Sequence, residues 1–403
     1  MERFGALGGI RIADFSWAWA GSYATTLLSH MGAEVIKIES SKRLDITRMP
    51  DYWKEQQTVN TTASFNTLNL NKMSITLDLT QPEAIDIAKR LIVISDVVMQ
   101  NMRPGAMDKL GLGYPELKRI RSDIIMMSSS ACGAEGPENQ YIGFAPNFAA
   151  MAGISHLTGY ADSPPATLRG PIDLRSATFA CFAILAALNY RLMTGKGQHI
   201  DFSSREVISC SLGEAILDYT MNGRVQSRCG NKDDIMAPHN CYRCRGDGKW
   251  VSIAVSTEEE WQSLCQAIGS PAWAKESRFS DPVNRWQSQD ELDKLLAEWT
   301  LERTDYEVME QLQKVGVAAV VSMGSDELYN DRHLRERGAY IEIDTPEAGR
   351  RVELGPPWKL SATPPKVYRP APMLGGHNNY VLGDLLGTHE DTIRMLEERQ
   401  VLC

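Results

Sequence analysis

Short apolar runs alternate with amphipathic stretches along the first third of the chain. Ile10–Phe15, Glu34–Ile38, Ser74–Leu79, Asp96–Gln100 and Ile124–Ser128 have the length and the apolar content of buried strands. Between them, Ser22–Met31 and Ala84–Leu91 carry helical spacing, with Gly32 placed to end the first helix and Pro82 to start the second. Ala106–Leu110 and Tyr114–Arg121 read as shorter helices. Strand–helix–strand repetition of this kind predicts an α/β fold, a doubly wound parallel sheet with helices on both faces. Asp173–Arg191 is a longer, strongly apolar helix ended by Gly195 and Gly197, and its composition predicts burial over much of its surface. A strand at His199–Ser203 and a helix at Glu206–Asn222 follow.

The pattern then changes. Gly223–Pro238 has little periodicity and reads as a linker. Asn240–Val255 predicts a hairpin about the turn Arg245-Gly246-Asp247-Gly248, and Glu258–Ile268, Asp290–Trp299 and Asp305–Val315 are amphipathic helices. These predict a smaller α+β domain over residues 230–326. Residues 1–225 form the first part of the large domain. Residues 327–403 form a linker and a return to it, with a hairpin of Tyr340–Ile343 and Arg350–Leu354 and a last helix at Asp391–Arg399.

Composition narrows the function classes. A chain of 403 residues is too long for one ordinary core, in keeping with two domains. Its formal net charge of −9 argues against a nucleic-acid partner, whose phosphates need clustered Lys and Arg. Any polyanionic ligand must meet a local basic patch. The longest apolar run, Ala177–Leu188, is of helix-core length, so no membrane span is expected. The first residues lack a signal-type apolar region, and the expected location is the cytoplasm. The eight cysteines are scattered and call for no disulfide scaffold. His239, Cys241 and Cys244 invite a zinc reading, but Cys241 and Cys244 are three apart on a predicted strand and face opposite sides, so no metal is expected.

A doubly wound sheet also invites a dinucleotide. The first turn, Ser16-Trp17-Ala18-Trp19-Ala20-Gly21-Ser22, has no G-x-G-x-x-G, and the chain has no phosphate loop, H-E-x-x-H or G-x-S-x-G elbow.

A set of strings in fixed order carries a resemblance instead. They are LGGIRIADFSWAWAGSYATTLLSHMGAEVIKIE, NLNKMSITLDL, QNMRPGAMDKLGLGY, TGKGQHIDFS after the long helix, and LGPPWKLSATPP and RPAPMLGGHN near the C-terminus. Together they resemble the class III coenzyme A transferases, the family of formyl-CoA, carnitine-CoA and benzylsuccinate-CoA transferases. The likeness runs from about Gly8 to the end. It implies that coenzyme A (CoA) thioesters are substrates, with no tightly bound cofactor, and that CoA passes between carboxylic acids. The implied nucleophile, counted back from Ile184–Leu188 and Thr194–Gln198, is Asp173, with Ala177 where the family often has Gly. Asp173 alone would read as a helix N-cap. As a nucleophile it would pass through an anhydride and an aspartyl-CoA thioester, splitting one exchange into easier steps.

By the same register, Trp19 and Ala20 of the first turn, Asn71, Lys72 and Met73, and Met102, Arg103 and Lys109 are implied CoA contacts, with Met73 in place of a basic residue. Lys42 and Arg43 stand near a position that is a phosphate-binding Arg in some members. Trp17, Arg169 and Arg175 are candidate substrate contacts. Two tryptophans with two arginines suit an aryl-substituted succinate such as benzylsuccinate, with succinyl-CoA as donor. The resemblance also implies an interlocked dimer, of identical chains or with a related subunit. Two other readings share the fold. A racemase needs a His-Asp pair where this chain has Phe144 and Ala145, neither able to move a proton. A non-catalytic CoA-binding subunit would not need Asp173.

Overall fold

The computed structural model describes residues 4–51, 57–168 and 170–403. The chain divides into two compact units. The larger is built on six strands: β1 (Arg11–Asp14), β2 (Glu34–Glu39), β3 (Met73–Thr76), β4 (Val97–Gln100), β5 (Ile125–Ser130) and β6 (His199–Ser203). All neighbours pair in parallel, in the order β3-β2-β1-β4-β5-β6.

Alternate side chains of each strand serve opposite faces. Ile12, Val35, Met99 and Ile125 pack on the helices Ala20–His30 and Gly170–Thr194. Ala13, Ile36, Val98 and Met126 pack on the helices Pro82–Val93, Tyr114–Ile120 and Glu390–Glu398. Coverage on both faces is why these strands carry adjacent apolar residues at their centres. The chain winds outward from β1 to β3, returns to the centre and winds the other way from β4. After β1 it enters a helix on one face, and after β4 a helix on the other. The carboxyl ends of these two adjacent strands therefore flank a crevice, the position where open α/β sheets hold ligands.

The sheet's outer strand β3 is closed by the returning C-terminal segment. Thr76 N donates to Asn378 Oδ1 at 2.9 Å, His377 N donates to Ser74 O at 2.9 Å, and Gly375 N donates to Ser74 Oγ at 3.1 Å. Gly375 stands at φ +66°, and a Cβ there would come within 3.2 Å of the Thr76 side chain. The Gly375-Gly376-His377 stretch is thus an edge cover, a common protection for an exposed strand.

The long helix spans Gly170–Thr194, starting a turn before the expected Asp173. Its part Ile172–Thr194 is long and apolar enough, by length and composition, to cross a membrane. It is not an uninterrupted apolar run, since Asp173, Arg175 and Arg191 lie within it. Ala177, Ala180, Ile184 and Ala187 place the helix in the core of the larger unit. On its other side Phe182 is 70% exposed and Leu192 86%.

The smaller unit comprises residues 155–166 and 218–332, wider than the expected 230–326. It holds an antiparallel sheet, β7 (His239–Arg243), β8 (Trp250–Ala254) and β9 (Ala318–Val321), around a core that includes Trp261 and Phe279. His239 Nδ1 lies 2.6 Å from Asn231 O, and Cys244 is buried in that core. Among the described residues, no three His, Cys, Asp or Glu side chains gather as a metal site would require. A hairpin of β10 (Tyr340–Thr345) and β11 (Gly349–Leu354) belongs to the larger unit.

Candidate functional site at the sheet switch point

Asp14 ends β1 and is fully buried. Its carboxylate accepts from Ser16 N at 2.9 Å and Thr25 Oγ1 at 2.7 Å, and Lys72 Nζ lies 3.2 Å away. Burial opposes its ionisation, but Lys72, Lys37 and the hydroxyl donors outweigh burial and hold the carboxyl below its usual range. This charged base anchors the start of the loop that crosses the crevice.

Ala18, in the middle of that loop, has φ +59°. A left-handed conformation costs a residue with a Cβ about 1–2 kcal/mol. Side chains from outside the loop hold it there. Ala18 N donates to Asp45 Oδ1 at 3.0 Å. Asn101, the first residue after β4, accepts from Trp17 N at 3.0 Å and donates through Nδ2 to Trp17 O at 2.8 Å. Lys37 Nζ donates to Ser16 O at 2.5 Å and pairs with Asp45 at 3.2 Å. Gly21 permits the approach, since a Cβ there would sit 2.5 Å from Ser16 Cβ and 3.1 Å from Asn101 Cγ.

Asp173 lies in the first turn of the long helix and is partly buried. The first helix leaves the carboxyl end of β1, and the long helix leads into the amino end of β6. Both therefore start over the carboxyl edge of the sheet, and they pack side by side. Burial pushes the Asp173 carboxyl up to about 6. A desolvated carboxylate at a helix start has the make-up of a nucleophile: poorly hydrated, yet ionised at neutral pH.

The other sequence candidates divide into groups. Trp17, Trp19 and Ala20 form the loop and first helical residue at the crevice, with Trp19 38% exposed. The Arg43 guanidinium lies 4.4 Å over the Trp17 ring, and Lys42 pairs with Asp78 at 2.7 Å. Met102, Arg103 and Lys109 follow β4 on the opposite side of the crevice, the two basic residues exposed. Arg175 is exposed and donates to Ser211 Oγ at 2.7 Å. Arg169 lies outside the described residues.

Three expected CoA contacts have side chains that turn inward. Lys72 is fully buried, and its ammonium is used by Asp14, Ser22 O at 2.8 Å and Asn69 Oδ1 at 2.9 Å. Burial pushes it down to about 8, against the pull of Asp14. Asn71, at φ +66°, donates to Lys366 O at 2.7 Å and accepts from Tyr368 N at 2.8 Å. Met73 lies in the core of β3. Polar residues just before a strand read like ligand contacts in sequence, whereas here they tie the sheet to β1 and to the C-terminal segment.

Sequence reasoning missed Asn101, Asp45 and Lys37. Asn101 opens the string NMRPG, so its place after β4 was the available signal. It also missed a cavity of about 170 Å³ on the other face, lined by Met102, Tyr114, Ser128, His199 and Asp201 among others. There His199 Nε2 lies 2.9 Å from Ser128 Oγ and the ring stacks on Tyr114 at 5.2 Å.

The family described as CoA-transferase family III matches residues 7–378. A succinyl-CoA–D-citramalate CoA-transferase of Chloroflexus aurantiacus is 34% identical over 397 residues, covering 98% of each chain. The beta subunit of a succinyl-CoA–L-malate CoA-transferase of the same organism is 30% identical, again over 98% of each. The crystal structure of a CaiB/BaiF family protein from Brucella suis superposes with a TM-score of 0.85 at 29% identity, covering 95% of this chain and all of the other.

Proposed function

The chain belongs to CoA-transferase family III, and from that premise we propose that Asp173 is its covalent nucleophile, with succinyl-CoA as donor and a 2-substituted succinate as acceptor. The observation that carries the reading is the place of the Asp173 carboxyl, part-buried in the first turn of the long helix over the carboxyl edge of the sheet, where burial raises it to about 6.

The exchange needs no net proton transfer. An Asp173 oxygen attacks the thioester carbonyl, the carbon–sulfur bond breaks, and CoA leaves as thiolate from an aspartyl–succinyl anhydride. The thiolate attacks the Asp173 carbonyl carbon, giving aspartyl-CoA thioester and free succinate. The acceptor carboxylate then attacks that thioester, forming a second anhydride and freeing the thiolate again. Attack on the acceptor's acyl carbon makes the new thioester and returns Asp173 as carboxylate. Each step conserves an activated acyl bond, so water must be kept from the anhydrides.

Arg103 and Lys109, exposed beside the crevice, are assigned to the phosphates of CoA. Trp17, Trp19 and Ala20 are assigned to the thioester end. The acceptor class rests on a shared skeleton. D-citramalate and L-malate, named for the relatives, and benzylsuccinate, suggested by the tryptophans, are all succinates substituted at C2. The exposed apolar side of the long helix, with Phe182 and Leu192, is assigned to a second subunit, a copy of this chain or a related one.

The test is to incubate the protein with succinyl-CoA, trap with hydroxylamine or borohydride and map the adduct by mass spectrometry. An adduct on Asp173 that is absent in Asp173→Ala is the expected result. No adduct with any of several acyl-CoAs would sink the assignment. Turnover with malate, citramalate and benzylsuccinate then ranks the acceptors.

A further inference from the structure

We propose that Asn101 and Asp45 are positioning residues that lock the loop after β1 across the switch point, so that the thioester meets Asp173 in one geometry. This deepens the proposed function and rests on it. The sequence has no glycine where the loop turns left-handed. Ala18 occupies that conformation at φ +59° only under restraint.

The restraint comes from two directions. Asn101 reaches over from the end of β4 and satisfies both the donor and the acceptor of Trp17, which an amide does and an ionised carboxylate of the same size cannot. Asp45 reaches in from beyond β2 and takes the Ala18 N–H. Asp45 is buried and is held as a carboxylate by Lys37, which also grips Ser16 O. Burial opposes that ionisation, and Lys37 with the Thr47 and Ala18 donors overcomes it. Ser16, Trp17 and Ala18 are thus fixed at three successive backbone positions by groups from β2, the loop after β2 and the loop after β4. Released, Ala18 would relax to negative φ and swing Trp17 and Trp19 out of register with the first helix. A misplacement of about 1 Å at a reacting centre costs on the order of 100-fold in rate.

The experiment uses the full chain. Single-turnover formation of the Asp173 adduct from saturating succinyl-CoA is followed by quenched flow for wild type, Asn101→Asp and Asp45→Asn, each with and without Ala18→Gly. Asn101→Asp keeps the acceptor for Trp17 N but loses the donor to Trp17 O. Its adduct rate is expected to fall by about 30-fold while succinyl-CoA affinity changes by less than about threefold. Ala18→Gly, which removes the cost of positive φ, is expected to restore about fivefold or more. A variant that merely loosened the fold would be made worse by glycine.

Amide exchange at Trp17 and Ala18 is read in parallel and needs no catalysis. Protection there is expected to drop about tenfold or more in both single variants, with the sheet unchanged. Unchanged protection overturns the lock, whatever the chemistry does. Unchanged adduct rates in folded variants overturn its positioning role. A wild type with protected amides but no adduct instead removes the nucleophile assignment and leaves the lock standing as a structural device. Should Asn101→Asp not fold, Asp45→Asn, which replaces the charged acceptor of Ala18 N by a weaker neutral one and removes the charge that holds Lys37 on Ser16 O, decides by the same criteria.

Discussion

The Lys72 ammonium stands 3.2 Å from the Asp14 carboxylate, and neither side chain reaches solvent. Removing one partner of a buried pair leaves the other uncompensated and costs about 3–5 kcal/mol. Lys72→Ala is therefore expected to lower the denaturation midpoint sharply in urea. The variant that remains folded should keep its KM for the CoA thioester, because Lys72 does not face the crevice. Lys72→Met should lose less activity than stability, since its thioether keeps the volume.

The pH dependence of acylation follows from Asp173. Its carboxyl titrates at about 6 in the folded chain against 3.8 ordinarily. Only the carboxylate attacks, so the adduct rate should fall about tenfold per pH unit below 6. The sign for stability is opposite to the usual carboxylate. Between 3.8 and 6 the folded chain holds the extra proton, so this group's contribution to stability declines as pH rises through that window. Asp173→Asn should melt above wild type at neutral pH and match it below pH 4, a difference that calorimetry at two pH values would read.

The CoA contacts separate by exposure. Arg103→Ala and Lys109→Ala should each raise KM for succinyl-CoA by about tenfold with kcat little changed, as expected for a lost charged contact made equally in ground and transition states. Asn71→Ala should leave KM alone and destabilise the chain, because its side chain binds Lys366 O and Tyr368 N. Steady-state kinetics beside urea unfolding distinguishes the two outcomes.

A buried and a half-buried histidine set an acid limit. His30 is 3% exposed, neither ring nitrogen has a hydrogen bond among the described residues, and burial pushes it down to about 4. His377, on the β3 edge cover, is pushed down to about 4 mainly by burial. The unfolded chain takes up these protons from 6.5 downward and the folded chain only near 4. Stability is thus complete above 6.5 and is lost as pH falls through that interval. His30→Leu should flatten the fall, seen as a smaller shift of the urea midpoint between neutral pH and pH 5.

The apolar runs disclosed the parallel sheet because burial on both faces leaves adjacent apolar residues at the middle of the strands, such as Ile12-Ala13, Val35-Ile36 and Val97-Val98-Met99. β9 was missed because Ala318–Val321 carries little contrast between its exposed and buried positions. The order of strings led to Asp173, whose burial could not be read from the residues around it. The inward reach of the Lys72 and Asn71 side chains was hidden for a physical reason. A polar side chain bound to backbone inside the fold and one bound to a ligand look alike in sequence, and only the direction in which it reaches separates them. Asn101 went unnoticed because its partners, the two backbone groups of Trp17, leave no mark in the residue types.

The cover over β3 has a bearing on how the chain is made. Synthesis proceeds from the N-terminus, so β1 to β6 leave the ribosome well before residues 375–378 exist. The larger unit is interrupted by most of the smaller one and is completed only by residues 333–403. Throughout that interval Ser74 and Thr76 present an unpaired edge, the feature by which nascent chains join one another. A ribosome stalled after residue 332 would thus carry a sheet able to recruit a neighbour through β3, and release of the last segment covers that edge.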